Sequence, residues 1–139
     1  MKGIKDIVSG DKLIAKIFRK NIKLSGVQFF TDPTNPFQIG IHERSKGISL
    51  LPHIHKLTST LKIRAIQEIL FVQRGKIKMT FYTKIGKYIT QSILNEGDSV
   101  LLINGGHGVE FLTDARVFEV KQGPYPGSQS AKIFIKEKS

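Results

Sequence analysis

The sequence predicts an all-β protein, and three observations indicate it. Apolar and polar residues alternate with a period of two along much of the chain, and glycine and proline divide it into short segments. No stretch has apolar residues at a helical period over a long distance, and only residues 11–20 are ambiguous. A period of two is typical of half-buried strands. About ten short strands with turns at regular spacing indicate a β-sandwich or a β-barrel.

The strands follow one another with little between them. The clearest region is 68–94, where apolar alternation continues across a turn at residues 83–87 and forms a hairpin. Residues 32–36 and 96–98 are turns rich in Pro, Gly, Asn and Asp, and residues 123–127 are an irregular loop. The predicted strands are residues 27–31, 38–43, 68–72, 77–82, 88–94, 99–103, a segment that ends at Phe111, and 116–121.

Strand alternation also predicts which side chains form the core. We expect Leu70 and Val72 to be buried, and likewise Val109 and Phe111, which share a face with His107. On the last strand, one pair of side chains faces inward and the other outward. The alternation leaves open whether the inward pair is Phe118 with Val120 or Glu119 with Lys121.

Length and composition narrow the class of protein. A chain of 139 residues with 40% hydrophobic residues predicts a single domain over residues 1–139. The absence of cysteine excludes disulfides, thiolate metal sites and a cysteine nucleophile. No apolar run is long enough to cross a bilayer, and no signal-peptide stretch opens the chain, so we expect a cytoplasmic protein without a membrane partner.

The chain is strongly basic, with 22 Lys and Arg against 11 Asp and Glu and a net charge of +11. This charge suggests nucleic acid, but the basic residues are spread along the chain and only five of them are arginines. We therefore consider a nucleic-acid partner unlikely and expect a lysine-covered surface. A positive potential that steers an anionic small molecule towards a cleft is the functional alternative.

Histidine and glutamate carry the most specific chemical signal. His53 and His55 are two residues apart, so on a strand both imidazoles face the same way and can grip a divalent transition metal. Glu68 opens an otherwise apolar strand, where an ionised carboxylate is costly unless it is paired or bound to a metal. His107 follows two glycines, whereas His42 lies in a charged segment and is interpreted as a surface residue.

The spacing of these residues resembles the first motif of the cupin superfamily. Five residues separate Gly47 from His53, His55 follows, and six residues separate Glu68 from Gly75. The connection of twelve residues between His55 and Glu68 is longer than the superfamily pattern has. Because longer surface loops cost little, this length is compatible with the same pocket.

The second motif is matched by fewer residues. Gly97 and Gly105 fit its glycines, and His107 can serve as its histidine, although Ile103 stands where the motif has proline. Around residues 105–108 and 119–125 the chain looks similar to small cupins associated with bacterial cell-surface polysaccharide and nucleotide-sugar genes. The first motif then covers about residues 47–75 and the second about 97–111.

The resemblance implies a fold, a metal and a function. The fold would be the cupin double-stranded β-helix, a jelly-roll barrel, and the chain would form a homodimer. One divalent transition metal (Zn, Fe, Mn or Ni) would be held by His53, His55, Glu68 and His107. The implied function is that of a metal-binding cupin, with enzymatic action on a sugar or nucleotide sugar in polysaccharide biosynthesis as one possibility. The alternative is a non-catalytic sugar-binding or scaffold module that partners a biosynthetic enzyme.

Catalytic residues are not identified by the sequence beyond one candidate. Tyr125 could act as a general acid or base at the mouth of a pocket, because cupin epimerases and isomerases use tyrosine and histidine. Its neighbours Pro124 and Pro126 fit a rigid loop anchor equally well. No phosphate-binding glycine loop, dinucleotide motif or nucleophile elbow occurs, so we expect no organic cofactor.

Overall fold

The computed structural model describes residues 1–136, apart from the side chains of residues 128 and 129. Within that range the regular structure consists of ten β-strands and one helical turn, α1 (Ser128–Ala131). The strands are β1 (Ile4–Ser9), β2 (Lys12–Phe18), β3 (Gly26–Phe29), β4 (Gly40–Glu43), β5 (Glu68–Arg74), β6 (Lys76–Tyr82), β7 (Tyr88–Asn95), β8 (Ser99–Leu102), β9 (Gly106–Phe111) and β10 (Arg116–Lys121). The prediction of an all-β chain is confirmed.

The chain divides into two compact units, each described here by itself. Unit 1 comprises Met1–Ile22 and Ala65–Ser139, and unit 2 comprises Lys23–Arg64. A single cupin domain over residues 1–139 stays a prediction, and its last three residues lie outside the described residues. In the described part of the chain, no helix is long and apolar enough to cross a membrane.

Unit 1 contains two antiparallel sheets. The first has five strands in the order β1-β2-β8-β5-β10, and the second has three in the order β7-β6-β9. Neither sheet closes into a barrel among residues 1–136, so the jelly-roll barrel remains a prediction. The segment with the ambiguous period, residues 11–20, contains strand β2, and β1 precedes it as a strand that the sequence did not single out.

One core is formed by the facing sides of both sheets. Leu70 and Val72 of β5 are buried as predicted, together with Ile77, Met79 and Phe81 of β6. Each of these sets repeats at every second residue, which is the period of side chains on one face of a strand. The remaining members of the core cluster are Ile7, Ile14, Ala15, Ile17, Leu94, Val100 and Leu102.

The prediction that Val109 and Phe111 are core residues is wrong. They lie opposite the buried Met79 and Ile77, so alternation assigns them to the inner face, but they remain 40% and 60% exposed. Their strand, β9, is an edge strand of its sheet. The facing sheet covers the central strand of this sheet better than its edge strands, so inner-face side chains at the edge stay exposed. Alternation in the sequence does not show which strand will lie at an edge.

Unit 2 has little regular structure. Its hairpin pairs β3 with β4, from Gly26 opposite Glu43 to Phe29 opposite Gly40. Both strands are shorter than the predicted segments 27–31 and 38–43. Residues 44–64, which include the His53 and His55 pair, form neither strand nor helix.

The carboxylate of Asp98, only 4% exposed, joins several strands of unit 1. Its oxygens accept hydrogen bonds from Arg19 Nη1 (2.8 Å) and from the backbone N–H groups of Lys20 and Asn95 (both 2.9 Å). Arg19 also donates to the carbonyl of Ile93 at 2.6 Å. A buried charge with this number of donors is satisfied, and removing one partner leaves the others unpaired.

Gly105 occupies a position that only glycine fits. Its φ is +71°, in the left-handed region, and an added Cβ would lie 2.3 Å from the carbonyl oxygen of Tyr82. A left-handed residue costs roughly 1–2 kcal/mol for a side chain other than glycine. The backbone oxygen cannot move aside as a flexible side chain can, so the turn that leads into β9 requires glycine for two separate reasons.

We expect Gly105→Ala to lower the free energy of unfolding by roughly 2–4 kcal/mol, because left-handed strain and overpacking add. Gly10→Ala is the matched control: its φ is +61° and no atom lies within 4 Å of the added Cβ. The free energy of unfolding of the control should therefore fall by only about 1 kcal/mol. Chemical denaturation of both variants measures the difference, and equal losses would contradict the steric argument at Tyr82.

We expect Asp98→Asn to lower the free energy of unfolding by roughly 2–4 kcal/mol. The ion pair with Arg19 is lost, and the NH₂ group of asparagine, a donor, replaces an oxygen that accepts hydrogen bonds. The control is Asp6→Asn, which removes the half-exposed partner of Lys16 and should cost less than about 1 kcal/mol. Thermal and denaturant unfolding measure both. An effect of Asp98→Asn as small as that of the control would rule out its structural role.

Candidate functional site

Glu68 begins β5 on the core face of the five-stranded sheet. Its side chain continues the row formed by Leu70 and Val72, and its Cα lies opposite Leu102 on one neighbouring strand and Lys121 on the other. The residue is 8% exposed. A carboxyl group at this depth needs partners, as the sequence argument required.

The nearest of these partners comes from the other sheet of unit 1. His107 is the second residue of β9 and lies opposite Phe81 of β6, on the inner face of the three-stranded sheet. Its Nε2 is 3.5 Å from Oε2 of Glu68, and its side chain is 33% exposed. The two predicted ligands of unit 1 therefore meet where the inner faces of its sheets approach one another.

The last strand contributes two charged groups that the sequence could not orient. Lys121 Nζ lies 3.9 Å from Glu68 Oε1 and 3.4 Å from Glu119 Oε1. The outward pair is Phe118 and Val120, which are 55% and 43% exposed. Alternation in the sequence indicates that Glu119 and Lys121 share one side of β10. Hydrophobicity would have placed Phe118 and Val120 on the core side instead.

These groups change each other's proton affinity. Burial, then a hydrogen bond with Glu119 and the charge of Glu119, raises the pKa of Glu68 to about 7. The hydrogen bond from Glu68 holds the pKa of Glu119 below its ordinary value, against a smaller opposing effect of burial. The protonation of one carboxyl group therefore affects the pKa of the other, with the pKa of Glu68 raised and that of Glu119 lowered.

The imidazole of His107 is neutral in this setting. Burial is the main cause that lowers its pKa, and the charge of Lys121 acts in the same direction. A neutral imidazole has one nitrogen free to accept a proton or to bind a metal ion. The cluster of Glu68, His107, Glu119 and Lys121, called here the inner cluster, therefore contains a carboxyl group with a raised pKa, an imidazole with a lowered pKa, a second carboxyl group and a lysine.

The other two predicted ligands lie in unit 2. His53 and His55 are exposed, and because residues 51–55 are not a strand, the alternation argument does not apply to them. The rings nevertheless contact each other edge to face, with centroids 5.0 Å apart. His53 Nδ1 lies 2.7 Å from the carbonyl oxygen of Leu51. In the tautomer with the proton on Nδ1, this hydrogen bond holds the ring in place. Nε2 is then the nitrogen that can bind a metal ion.

A complete metal-binding group is not assembled within either unit. Among residues 1–136, no three or more His, Cys, Asp or Glu side chains are grouped so that they could hold an ion. The nitrogen and oxygen donors of Glu68, His107, His53 and His55 suit Zn, Fe, Mn or Ni by their chemistry. Two donors come from each unit, and the four-ligand set stays a prediction.

The remaining candidates lie outside the inner cluster. His42 is exposed on β4, in agreement with its interpretation as a surface residue. Tyr125 is 63% exposed, in the irregular segment that follows β10. Its role as an acid or base stays a prediction.

Comparison with known protein families, with curated proteins and with solved structures gives no match for this chain.

The raised pKa of Glu68 predicts a pH dependence of stability in the metal-free protein. Because the folded state binds this proton more tightly than the unfolded state, the stabilisation is complete below about pH 4.5 and is lost as the pH rises through about 7. Glu68→Gln keeps the neutral form at every pH. As the pH rises from 4.5 to 8, the free energy of unfolding of the variant should increase by roughly 2 kcal/mol relative to that of the unmodified chain.

Urea denaturation in the presence of a chelator measures this difference across the pH range. Glu119→Gln should move the fall in stability to lower pH, because it removes the charge that helps to raise the pKa of Glu68. A difference in the free energy of unfolding between the Glu68→Gln variant and the unmodified chain that stays flat from pH 4.5 to 8 would contradict the raised pKa of Glu68.

Proposed function

We propose that this chain is a metal-binding cupin that acts on a sugar or nucleotide sugar in bacterial cell-surface polysaccharide biosynthesis. The observation that carries the proposal is the 3.5 Å approach of His107 to Glu68. These residues are 39 positions apart in the sequence, and they are two of the four that the cupin resemblance selects as ligands. Burial of a carboxyl group beside an imidazole is costly, and such groups cluster at functional sites.

The order of strands supports a double-stranded β-helix, the jelly roll. Following the chain from β5 to β10, consecutive strands switch repeatedly between the five-stranded and the three-stranded sheet, and the two sheets share one core. A jelly roll is built from two such antiparallel sheets. The motif glycines Gly75 and Gly105 both lie at turns with positive φ, as tight turns between the strands of a small barrel require.

The residues of the inner cluster suit chemistry on a sugar. Glu68 and His107 would hold the metal, to which the resemblance adds His53 and His55. A bound divalent ion would polarise a carbonyl or hydroxyl oxygen of the substrate. Lys121 provides a positive charge for an anionic group of the substrate.

The proposal includes a location and an assembly taken from the same resemblance and from the sequence. The protein would act in the cytoplasm as a homodimer, with a small anionic sugar as its ligand. The net charge of +11 would draw such a ligand towards the protein at low ionic strength. Light scattering tests the homodimer directly, and a monomer at micromolar concentration would contradict it.

Elemental analysis of the purified chain should find about one divalent transition metal per chain. His53→Ala/His55→Ala and, separately, His107→Ala should each lower metal affinity by at least about tenfold, because a ligand lost from a four-donor site is not replaced. His42→Ala is the matched control, since it removes an exposed histidine outside the predicted set. Full metal loading that survives in the double variant would contradict the ligand set.

A second experiment separates the enzyme from the non-catalytic module. Thermal-shift measurements with a series of sugars and nucleotide sugars identify ligands, and each ligand is then incubated with the metal-loaded chain and its products are analysed by NMR. Turnover supports the enzyme, and Glu119 and Lys121 in the inner cluster favour this outcome. Stabilisation without turnover would replace the enzyme with the binding or scaffold module.

A further inference from the structure

Strand β10 is an edge strand with one open side. It ends the five-stranded sheet, and β5 is its one neighbouring strand in the part of the chain that the structure describes. Just after β10, Gln122 N–H donates to the Gln67 carbonyl at 3.0 Å. Successive residues of an antiparallel strand alternate in the direction of their backbone N–H and C=O groups. The backbone groups of Glu119 and Lys121 therefore point away from β5, towards the open side.

The other edge strands of unit 1 are less suited to pairing with a further strand. A bulge between Ile7 and Val8 interrupts β1, and Arg19 donates to the Ile93 carbonyl of β7. Two of the six residues of β9 are glycines, which weaken strand pairing. In β10 the register shift comes directly after the first residue, so the strand is regular from Val117 onward. Among these edges, β10 is the one best prepared to accept another strand.

The charges along this edge are self-complementary. Glu119 and Lys121 lie two residues apart on the same side of β10. When two copies of β10 pair antiparallel about Val120, Glu119 of each copy lies opposite Lys121 of the other, and their outward backbone groups form the hydrogen bonds. A shift by two residues places Glu119 opposite itself or Lys121 opposite itself, and like charges directly opposite are destabilising. The charges thus select one register.

This complementarity favours a second copy of the chain over another protein as the partner of β10. Each copy carries a net charge of +11, so two copies can meet only where the local charges balance. Glu119 and Lys121 provide that balance. The outer side of the strand presents Phe118 and Val120, which are 55% and 43% exposed and carry no charge that would repel a second copy.

We propose that two copies of this chain associate through β10, paired antiparallel with Val120 at the two-fold axis, so that their five-stranded sheets form one continuous sheet. The inference rests on the homodimer of the proposed function and names its interface. It also brings residues of both copies to the inner cluster, because Glu119 and Lys121 of one copy meet Lys121 and Glu119 of the other.

The position of the axis predicts a specific cross-link. The chain contains no cysteine, so Val120→Cys introduces a single thiol. Opposite residues that do not bond to each other have Cα atoms about 4.5 Å apart, which a disulfide can span. Phe118→Cys is the matched control on the same outer side. Its two copies would be four residues out of register and about 14 Å apart, too far for a disulfide.

Mild oxidation followed by non-reducing electrophoresis measures the cross-link. Most of the Val120→Cys variant should become a covalent dimer, and little of the Phe118→Cys variant should. Equal cross-linking of the two variants, or none in either, would overturn the proposed register.

Charge reversal tests the same interface without a covalent bond. Glu119→Lys and Lys121→Glu each place like charges opposite one another twice, so each should raise the dissociation constant of the dimer by at least about tenfold. When the two variants are mixed in equal amounts, every lysine lies opposite a glutamate, and a heterodimer should form. Damage to the fold cannot produce this recovery.

Two controls separate the pairing from net charge. Glu110→Lys on edge strand β9 and Lys5→Glu on edge strand β1 change the charge by the same amounts, and each should leave the dissociation constant within about threefold. Sedimentation velocity of the full chain over a range of concentrations measures the constants, and circular dichroism confirms that each variant is folded.

The outcomes distinguish this inference from the proposed function. If the unmodified chain is monomeric at every concentration, the homodimer of the proposed function fails and this interface fails with it. If the chain dimerises and the variants at positions 119 and 121 dimerise equally well, or their mixture forms no heterodimer, the interface alone is overturned.

Discussion

The buried carboxylate of Asp98 is the constraint on which the geometry of unit 1 depends. It receives hydrogen bonds from the end of β2 and from the turn between β7 and β8. Val72 of β5 is bonded to the turn between β7 and β8: its N–H donates to the Asp98 carbonyl at 2.9 Å, and its carbonyl accepts a hydrogen bond from Gly97 N–H at 2.7 Å. These backbone bonds anchor the antiparallel pairing of β5 with β8, and that pairing sets Glu68 opposite Leu102.

The inner cluster follows from this register and from the meeting of two sheets. β5 brings Glu68 to the end of a core-facing row, β10 sets Lys121 opposite it, and β9 brings His107 from the other sheet. Because the groups lie at the margin of an apolar core, each is desolvated enough to affect its neighbours and open enough to meet a ligand. Burial is the main cause of both pKa shifts: it raises the pKa of Glu68 and lowers that of His107, and each shift favours the neutral form of the group.

Much of unit 1 could be predicted from the sequence, because alternation and turn residues are local signals. The strands at 88–94 and 116–121 have almost the predicted limits. Position within a sheet is not a local signal. For this reason alternation predicts a core position for Val109 and Phe111 although they lie on an edge strand, and it does not predict which pair of residues of β10 shares the side of Glu68. Residues 44–64 carry the His-x-His pattern without forming the strand that such a pattern needs.

The orientation of β10 has a consequence for how the chain tolerates change. Along this strand Phe118 and Val120 lie on the outer side of the sheet, whereas Glu119 and Lys121 lie on the side of Glu68 and are themselves 45% and 31% exposed. Serine or threonine at Phe118 or Val120 would change only the outer side of the strand, whereas an uncharged residue at Lys121 would change the charge beside Glu68. Engineering guided by hydrophobicity alone would protect the wrong half of the strand.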